Sequence, residues 1–161
     1  MIINKIHWLG VGLSSPPGIL YLNEQRYDLI VWNRSVDKAQ SLLKNKIYVN
    51  QLDISSLSKK LDRNDLIVSM LPASMHMEIA ELAINYKCHL VTSSYHDPQY
   101  EKLEQKFIDN DCLFICECGL DPGIDHLLAH KLIQEFEKGN YQDIKSIGFE
   151  SMCGGFPEIP N

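Results

Sequence analysis

The chain has 161 residues, a formal net charge of −6, 45% hydrophobic residues and 22% charged residues. This length is enough for one globular domain with a sizeable core. The acidic balance argues against a general nucleic-acid binder, which normally carries a basic face. No apolar run approaches the length of a membrane span, and the N-terminus lacks the apolar core of a signal peptide. The five cysteines lie mostly in apolar runs, which favours reduced thiols and a cytoplasmic protein.

The first predicted element is a buried strand that runs into a glycine-containing turn and then a helix. Gly10 permits the tight turn after the strand, and the missing side chain of Gly12 leaves room for an anion beside the backbone. Leu13 and Ser14 complete the turn, and the following helix N-terminus supplies unpaired N–H groups and a partial positive charge. This arrangement predicts a site for the pyrophosphate of a dinucleotide.

The glycine pattern is incomplete, because Ser15 stands where the dinucleotide fingerprint has its third glycine. A plain strand-to-helix turn is therefore an alternative interpretation of this stretch. The two prolines that follow, Pro16 and Pro17, fit a first helical turn. The alternation of strands and helices in the rest of the chain favours the cofactor site.

Strands and helices alternate along the remainder of the sequence. The predicted strands cover 28–32, 47–49, 65–71, 89–92, 112–116 and 144–152, and the predicted helices cover 36–44, 55–61, 74–86, 98–110 and 122–138. Because the strands are continuous apolar runs, we expect an α/β fold: a Rossmann-like, doubly wound, mostly parallel sheet with helices on both faces. Residues 1–152 are predicted to form this dinucleotide-binding domain. The glycine- and proline-rich residues 153–161 are predicted to start a connection to a substrate domain that is absent from this chain.

Ligands of an open parallel sheet bind beyond the carboxyl ends of its strands, so the loops at those ends are the candidate sites. After the second strand come Asn33, Arg34 and Ser35, where an NAD site usually has an Asp or Glu. A guanidinium suits a 2′-phosphate, so this loop favours NADP(H) over NAD(H). The alternative is that Arg34 is a solvated arginine near a helix start, with Ser35 as the N-cap.

The loops after the third and fourth strands extend the predicted cofactor site. Asp53 and Ile54 are expected to border the adenine, although Asp53 suits a helix N-cap equally well. Leu71 and Pro72 are expected to line the pyrophosphate and the nicotinamide ribose.

The loops after the fifth and sixth strands carry polar groups for the nicotinamide and for a substrate. Thr92 and Ser93 are predicted cofactor contacts, and Ser94 and Tyr95 are predicted substrate contacts, although serines are also common in ordinary turns. Asp121 either caps the following helix or holds a substrate ammonium.

Two further patterns are interpreted as structural. His126 and His130 are four residues apart on a predicted helix, but no glutamate lies between them as in a zinc-protease motif. Cys112, Cys116 and Cys118 lack paired C-x-x-C spacing. No metal site is predicted.

These loops together resemble the N-terminal NADP-binding domain of the saccharopine dehydrogenase (L-glutamate-forming saccharopine reductase) family. The similarity covers nearly the whole chain. It is carried by G-V-G-L at 10–13, N-R-S at 33–35, L-P-A-S-M-H at 71–76, T-S-S-Y at 92–95, G-L-D-P-G-I-D at 119–125 and C-G-G-F-P at 153–157.

The resemblance implies an oxidoreductase of lysine metabolism that uses NADPH. Its reaction reduces the imine joining glutamate to 2-aminoadipate 6-semialdehyde, or runs in the reverse direction. The residues that would face this amino-acid substrate are Ser94, Tyr95, Asp121, Asp125, Cys153, Gly154 and Gly155. Asp121 would be the catalytic residue, either stabilising positive charge on the iminium or relaying a proton through water. A homodimer would form through the missing domain.

The end of the chain departs from the family pattern, since F-P-E-I-P-N follows the C-G-G stretch. Two alternatives therefore stay open: a related imine reductase of the carboxyspermidine type, and a non-catalytic nucleotide-binding module. We expect the 161 residues by themselves to bind NADP(H) weakly and not to turn over saccharopine.

Overall fold

The computed structural model describes residues 3–139 and 145–152, and their secondary structure alternates between strands and helices. The strands are β1 (Ile6–Leu9), β2 (Leu29–Asn33), β3 (Val49–Gln51), β4 (Leu66–Ser69), β5 (His89–Thr92) and β6 (Phe114–Ile115). The helices are α1 (Pro16–Glu24), α2 (Val36–Leu42), α3 (Ile54–Ser58), α4 (His76–Tyr86), α5 (Glu101–Asp109) and α6 (Ile124–Glu137). Short 3-10 turns at Ala73–Met75 and Pro98–Tyr100 lead into α4 and α5.

The six strands form one sheet in the order β3-β2-β1-β4-β5-β6, and every pair is parallel. Leu9 lies level with Trp32 on one side and with Ser69 on the other, and Ser69 lies level with Thr92. The carboxyl ends of four strands therefore meet at one edge. The chain reverses its direction of strand addition between β1 and β4, which is where ligands bind in such sheets.

Helices cover both faces of the sheet, each over its own apolar core. One core joins β1, β2 and β3 to α1 and α2; its buried members are Trp8, Val11, Ile19, Val31, Ala39, Leu43 and Val49. The other face carries α3, α4 and α5, whose Leu57, Ile79, Leu103 and Phe107 pack with Leu9, Ile67 and Leu90 of the strands. Full burial of one such side chain stabilises the fold by about 1.5–3 kcal/mol. The predicted doubly wound α/β class is confirmed.

A polar network crosses the second core. His7 and Asp65 are fully buried, and the Nε2 atom of His7 lies 3.1 Å from Oδ2 of Asp65. The indole N–H of Trp32 donates to Nδ1 of His7 at 3.2 Å. Because an indole nitrogen can only donate, Nδ1 accepts and Nε2 carries the hydrogen directed at Asp65. Burial lowers the pKa of His7, although the hydrogen bond to Asp65 opposes this shift, and so favours the neutral imidazole.

The C-terminal part of the described chain differs from the prediction. The predicted strand 144–152 is wrong for its described residues, because 145–152 form no strand and Ile147 and Phe149 are exposed. The physical reason is that β6 has only two residues, Phe114 and Ile115, and offers too short an edge to pair with another strand. Predicted strand 112–116 contracts to these two residues, and predicted strand 47–49 shifts to Val49–Gln51, in register with β2.

Helix α6 also packs differently from the other helices. It has 14 residues and none of them is buried. Its Leu127, Leu128 and Leu132 are more than half exposed. Among the residues with described structure, no helix is long and apolar enough to cross a membrane.

Candidate functional site

The turn between β1 and α1 depends on a glycine at its first position. Gly10 has φ of +92°, and a Cβ atom there would lie 2.9 Å from the carbonyl oxygen of Met70. Only glycine adopts this conformation without strain and avoids the contact. At Gly12, by contrast, an added Cβ atom would meet nothing within 4 Å. The outer side of the turn is therefore open, as a bound pyrophosphate requires.

Two N–H groups of this turn donate to acceptors within the protein, and two are available to a ligand. Val11 donates to Oδ1 of Asn33 at 2.9 Å, and Gly12 donates to Oγ of Ser15 at 3.3 Å. The N–H groups of Leu13 and Ser14 donate to no acceptor within residues 3–139 and 145–152. Two adjacent unpaired N–H groups before a helix N-terminus form a concave anion site. The residues present therefore fit the pyrophosphate of a dinucleotide.

Ser15, which replaces the third glycine, supports the turn. Its side chain is buried, and its hydroxyl donates weakly to the carbonyl of Gly10 at 3.4 Å while accepting from Gly12. Close packing of helix on strand, the usual task of the third glycine, falls to Gly18. A Cβ atom there would lie 3.0 Å from the ring of Trp8. The sequence prediction missed Gly18; its signal was a glycine one turn into the helix, opposite a tryptophan in β1.

The loop after β2 is joined to the glycine turn by Asn33. Besides accepting from Val11, its side chain donates to the carbonyl of Ser35 at 2.9 Å, so one amide spans both loops. The prediction treated Asn33 only as a cofactor contact and missed this link. Arg34 is exposed, its carbonyl accepts from Nε2 of Gln51 at 2.9 Å, and its guanidinium forms no ion pair within the described chain. Ser35 occupies the N-cap position of α2, but its side chain makes no capping hydrogen bond.

The loop after β3 is organised around a helix cap. Asp53 accepts from the N–H groups of Ser55 at 3.0 Å and Ser56 at 3.2 Å, so the N-cap interpretation is confirmed. Hydrogen bonding from Ser56 lowers the pKa of this carboxyl. Ile54 is half-buried and packs against the second core. Their expected contact with adenine stays a prediction.

A cavity of about 630 Å³ opens at the carboxyl ends of β4 and β5. The structure brings Ser93, Ser94, Tyr95 and Asp121 together on its wall, which Ser74 also lines. The turn holding Ser74 follows Leu71 and Pro72, while Thr92 is buried at the end of β5. The predicted contacts of these residues with the nicotinamide and with a substrate stay predictions.

A short polar contact in this cavity joins two of its loops. The hydroxyl of Tyr95 donates to Oδ1 of Asp121 at 2.6 Å, a length typical of a hydrogen bond to a carboxylate. The interpretation of Asp121 as a helix cap is wrong, because the N-cap of α6 is Gly123. Gly123 has φ of +147°, and its N–H donates to Oδ1 of Asp125 at 2.8 Å. Asp125 thus holds the start of α6.

Three predicted substrate residues, Cys153, Gly154 and Gly155, lie outside the described residues. His126 lies near two carboxylates: its Nδ1 is 4.0 Å from Oε2 of Glu117, and its Nε2 is 3.6 Å from Oδ2 of Asp125. Across 3–139 and 145–152, no three His, Cys, Asp or Glu side chains are grouped as metal ligands.

A comparison with known protein families finds a match over most of the chain. Residues 6–115 match the family described as the saccharopine dehydrogenase NADP binding domain. The chain belongs to this family. The matched range runs from β1 to β6 and includes the glycine turn, Arg34 and the Tyr95 loop.

Characterised relatives support the same assignment. Saccharopine dehydrogenase [NADP(+), L-glutamate-forming] of Schizosaccharomyces pombe is 34% identical over 155 residues, covering 92% of this chain and 34% of the relative. The Saccharomyces cerevisiae protein of that name is 37% identical over 155 residues, with the same two coverages of 92% and 34%. The mitochondrial alpha-aminoadipic semialdehyde synthase of Rattus norvegicus is 31% identical over 159 residues, covering 95% of this chain and 17% of the relative. The chain therefore spans about a third of the length of the saccharopine dehydrogenases it matches.

Solved structures extend the likeness to the fold. Apo saccharopine dehydrogenase (L-Glu forming) from Saccharomyces cerevisiae aligns with a TM-score of 0.71 at 35% identity, covering 84% of this chain and 32% of that chain. A homoserine dehydrogenase from Thiobacillus denitrificans aligns with a TM-score of 0.55 at 16% identity, covering 70% and 29% of the two chains, which shows the fold alone. The predicted family, fold class and choice of NADP(H) as cofactor are confirmed.

Proposed function

We propose that this chain is the NADP(H)-binding domain of a saccharopine dehydrogenase. The longer protein would transfer hydride between NADPH and the imine that joins glutamate to 2-aminoadipate 6-semialdehyde, or run the reverse reaction. The observation that carries the proposal is the pair of unpaired N–H groups of Leu13 and Ser14 at the open glycine turn. The family match and the relatives of the same name support it.

Each loop at the carboxyl edge has a proposed part in holding the cofactor. The glycine turn, from Gly10 through Gly12 to Leu13 and Ser14, would hold the pyrophosphate. The other cofactor contacts would be Asn33, Arg34, Ser35, Asp53, Ile54, Leu71, Pro72, Thr92 and Ser93. When bound, NADPH supplies the hydride, and the protein contributes orientation and charge.

Asp121 is the proposed catalytic residue. Its carboxylate accepts from Tyr95 on the cavity wall, where it would stabilise positive charge on a substrate nitrogen or exchange a proton with it through water. Ser94, Tyr95 and Asp125 are proposed substrate contacts, as are Cys153, Gly154 and Gly155. Positioning the substrate and excluding water from it would need groups from outside this chain, so the 161 residues alone should not turn over saccharopine. They should also bind NADP(H) only weakly.

The cofactor assignment is tested by substituting Arg34→Ala. Loss of a charge-assisted hydrogen bond to a 2′-phosphate costs about 1.5–3 kcal/mol, which corresponds to about a tenfold or greater loss of NADPH affinity. NADH lacks that phosphate, so its affinity should change little. Isothermal titration calorimetry with both nucleotides measures the difference.

The matched control for this test is Arg63→Ala. Arg63 is also exposed but precedes β4, at the opposite edge of the sheet. It should leave both affinities unchanged. An equal loss of NADPH and NADH affinity in the Arg34 variant would contradict a 2′-phosphate contact.

Two features of the longer protein are also proposals. We propose a cytoplasmic location, supported by the free thiols of Cys88, Cys112, Cys116 and Cys118, and a homodimer formed by residues outside this chain. The rat relative is named as mitochondrial, so fractionation of cells is the direct test of location. Analytical ultracentrifugation of the full-length protein tests the dimer. The division into a domain of residues 1–152 and a connection of 153–161 stays a prediction, which limited proteolysis would check.

A further inference from the structure

We propose that Glu117 is a positioning residue that fixes Tyr95 and Asp121 relative to each other. The inference rests on the proposed function, because it concerns the geometry of that same cavity. Glu117 lies at the start of the loop between β6 and α6, and it does not line the cavity itself. It therefore acts through the residues it holds.

Backbone hydrogen bonds of Glu117 and its neighbour join the two loops of the cavity. The N–H of Glu117 donates to the carbonyl of Ser94 at 3.0 Å, and the N–H of Cys118 donates to the carbonyl of Thr92 at 3.0 Å. These two bonds tie the end of β5 and the loop after it to the residues that follow β6. The loop after β5 is thereby held against the loop that leads to Asp121.

The side chain of Glu117 adds a second attachment on the other side of Tyr95. Its Oε1 accepts from the N–H of His96 at 3.1 Å. Ser94 and His96 precede and follow Tyr95, so a single residue holds the backbone on both sides of the tyrosine. The second carboxylate oxygen, Oε2, lies 4.0 Å from Nδ1 of His126, in the first turns of α6.

The contacts of Glu117 to Ser94 and His96, which we call the Glu117 bracket, occur at a residue with an unusual backbone conformation. Its φ is +60°, in the left-handed region that favours glycine. Glycine would adopt this conformation with less strain but would lack the carboxylate, which makes a contact of its own here. That contact is the one to the N–H of His96.

The consequence is a fixed hydrogen bond between Tyr95 and Asp121. The two residues lie on different loops, and their 2.6 Å contact requires those loops to keep one relative position. Without the carboxylate of Glu117, the loop after β5 would keep its attachment at Ser94 but lose the one at His96. Misplacement of a reacting group by about 1 Å can reduce a rate by about 100-fold, so a looser Tyr95 loop should reduce turnover.

Two substitutions separate the carboxylate from the backbone conformation. Glu117→Gly keeps the left-handed backbone and the bond to Ser94 but removes the acceptor for His96. Glu117→Gln keeps an oxygen acceptor and removes only the charge. In the full-length protein we expect Glu117→Gly to lower kcat/KM for saccharopine about tenfold or more, Glu117→Gln to stay within about threefold, and the NADPH dissociation constant to stay within about twofold in both.

Asp111→Gly is the matched control, because Asp111 is an exposed acidic residue with φ of +58° that precedes β6. It removes comparable strain at the other edge of the sheet and should leave kcat/KM unchanged. The proposal is overturned if Glu117→Gly matches the wild type, if Glu117→Gln is impaired as much as Glu117→Gly, or if NADPH affinity falls in proportion to kcat/KM.

Amide hydrogen exchange of the wild-type chain and its variants distinguishes a failure of the Glu117 proposal from a failure of the proposed function. The N–H of His96 should exchange faster in Glu117→Gly and at the wild-type rate in Glu117→Gln. If the wild type fails to bind NADPH, the proposed function fails, whereas the exchange rate of His96 still reports whether the bracket exists. Unchanged exchange in Glu117→Gly contradicts the bracket.

Discussion

The first and last strand–helix units of this chain are held in different ways. All four residues of β1 are buried, and α1 places Ile19 in the core. Strand β6 has two residues, neither of them buried, and the 14 residues of α6 include no buried side chain. The cofactor side is held by apolar packing, whereas the Asp121 side is held by hydrogen bonds between loops. Substitutions of packed residues on the cofactor side should therefore mainly lower stability. Substitutions on the Asp121 side should mainly lower activity.

The largest expected contrast is between two leucine-sized side chains on different helices. Ile79 of α4 is fully buried, so Ile79→Ala should reduce the free energy of unfolding by about 2–5 kcal/mol. Leu128 of α6 is 60% exposed, so Leu128→Ala should change it by less than about 0.5 kcal/mol. Urea denaturation of the chain measures both. A loss at Leu128 as large as that at Ile79 would show that α6 is packed.

A smaller contrast is expected within the glycine turn. Gly10→Ala forces a left-handed alanine toward the carbonyl of Met70 and should destabilise the chain by about 1–3 kcal/mol. Gly12→Ala meets no atom within 4 Å, so the unfolding free energy should barely change, while the methyl group intrudes on the proposed pyrophosphate site. Denaturation and NADPH titration together separate the effects. Equal destabilisation by both substitutions would contradict this division of roles.

The smallest expected effect is a pH dependence that arises from buried histidines of the packed region. Burial lowers the pKa of His7, His76 and His89 from the ordinary value of 6.5. Below this value the unfolded chain binds more protons than the folded chain, so stability falls as the pH decreases and is constant in this respect above it. Each histidine can contribute a slope of up to about 1.4 kcal/mol per pH unit.

This pH effect is tested by removing one of the buried imidazoles. His89→Gln should reduce the slope of stability against pH, because one group that takes up a proton on unfolding is removed. Denaturation curves of the wild type and the variant from about pH 5 to about pH 7 provide the measurement, and equal slopes in the two proteins would contradict the assignment to buried imidazoles.

The fold was predictable because its strands are continuous apolar runs, and such runs are buried in a covered parallel sheet. The failed strand at 144–152 shows the limit of this reasoning. Apolar residues such as Ile147 and Phe149 allow a strand, but a strand also needs a neighbouring edge, and β6 is too short to provide one. Pairing is a property of the assembled sheet and cannot be read from one segment.

The site was predictable to the level of loops but not of individual contacts. The rule that ligands bind at strand ends selected the loops containing Arg34, Tyr95 and Asp121. It could not show that Asn33 joins two loops, because that role depends on a side chain reaching Val11 across 22 positions of sequence. Nor could it choose between capping and substrate roles for Asp121, since both roles suit an aspartate before a helix. The left-handed backbone of Glu117 has no sequence signal, because glutamate rarely adopts it.

The central claim is that the amides between β1 and α1 receive the phosphates of NADPH. The most direct test is an NMR titration of the isotope-labelled chain with NADPH, following the backbone amides of Leu13 and Ser14. These two amides should show the largest shifts, and the amide of Gly10, which already donates to the carbonyl of Trp32 at 2.9 Å, should move less. Unchanged resonances of Leu13 and Ser14 at saturating NADPH would contradict the account.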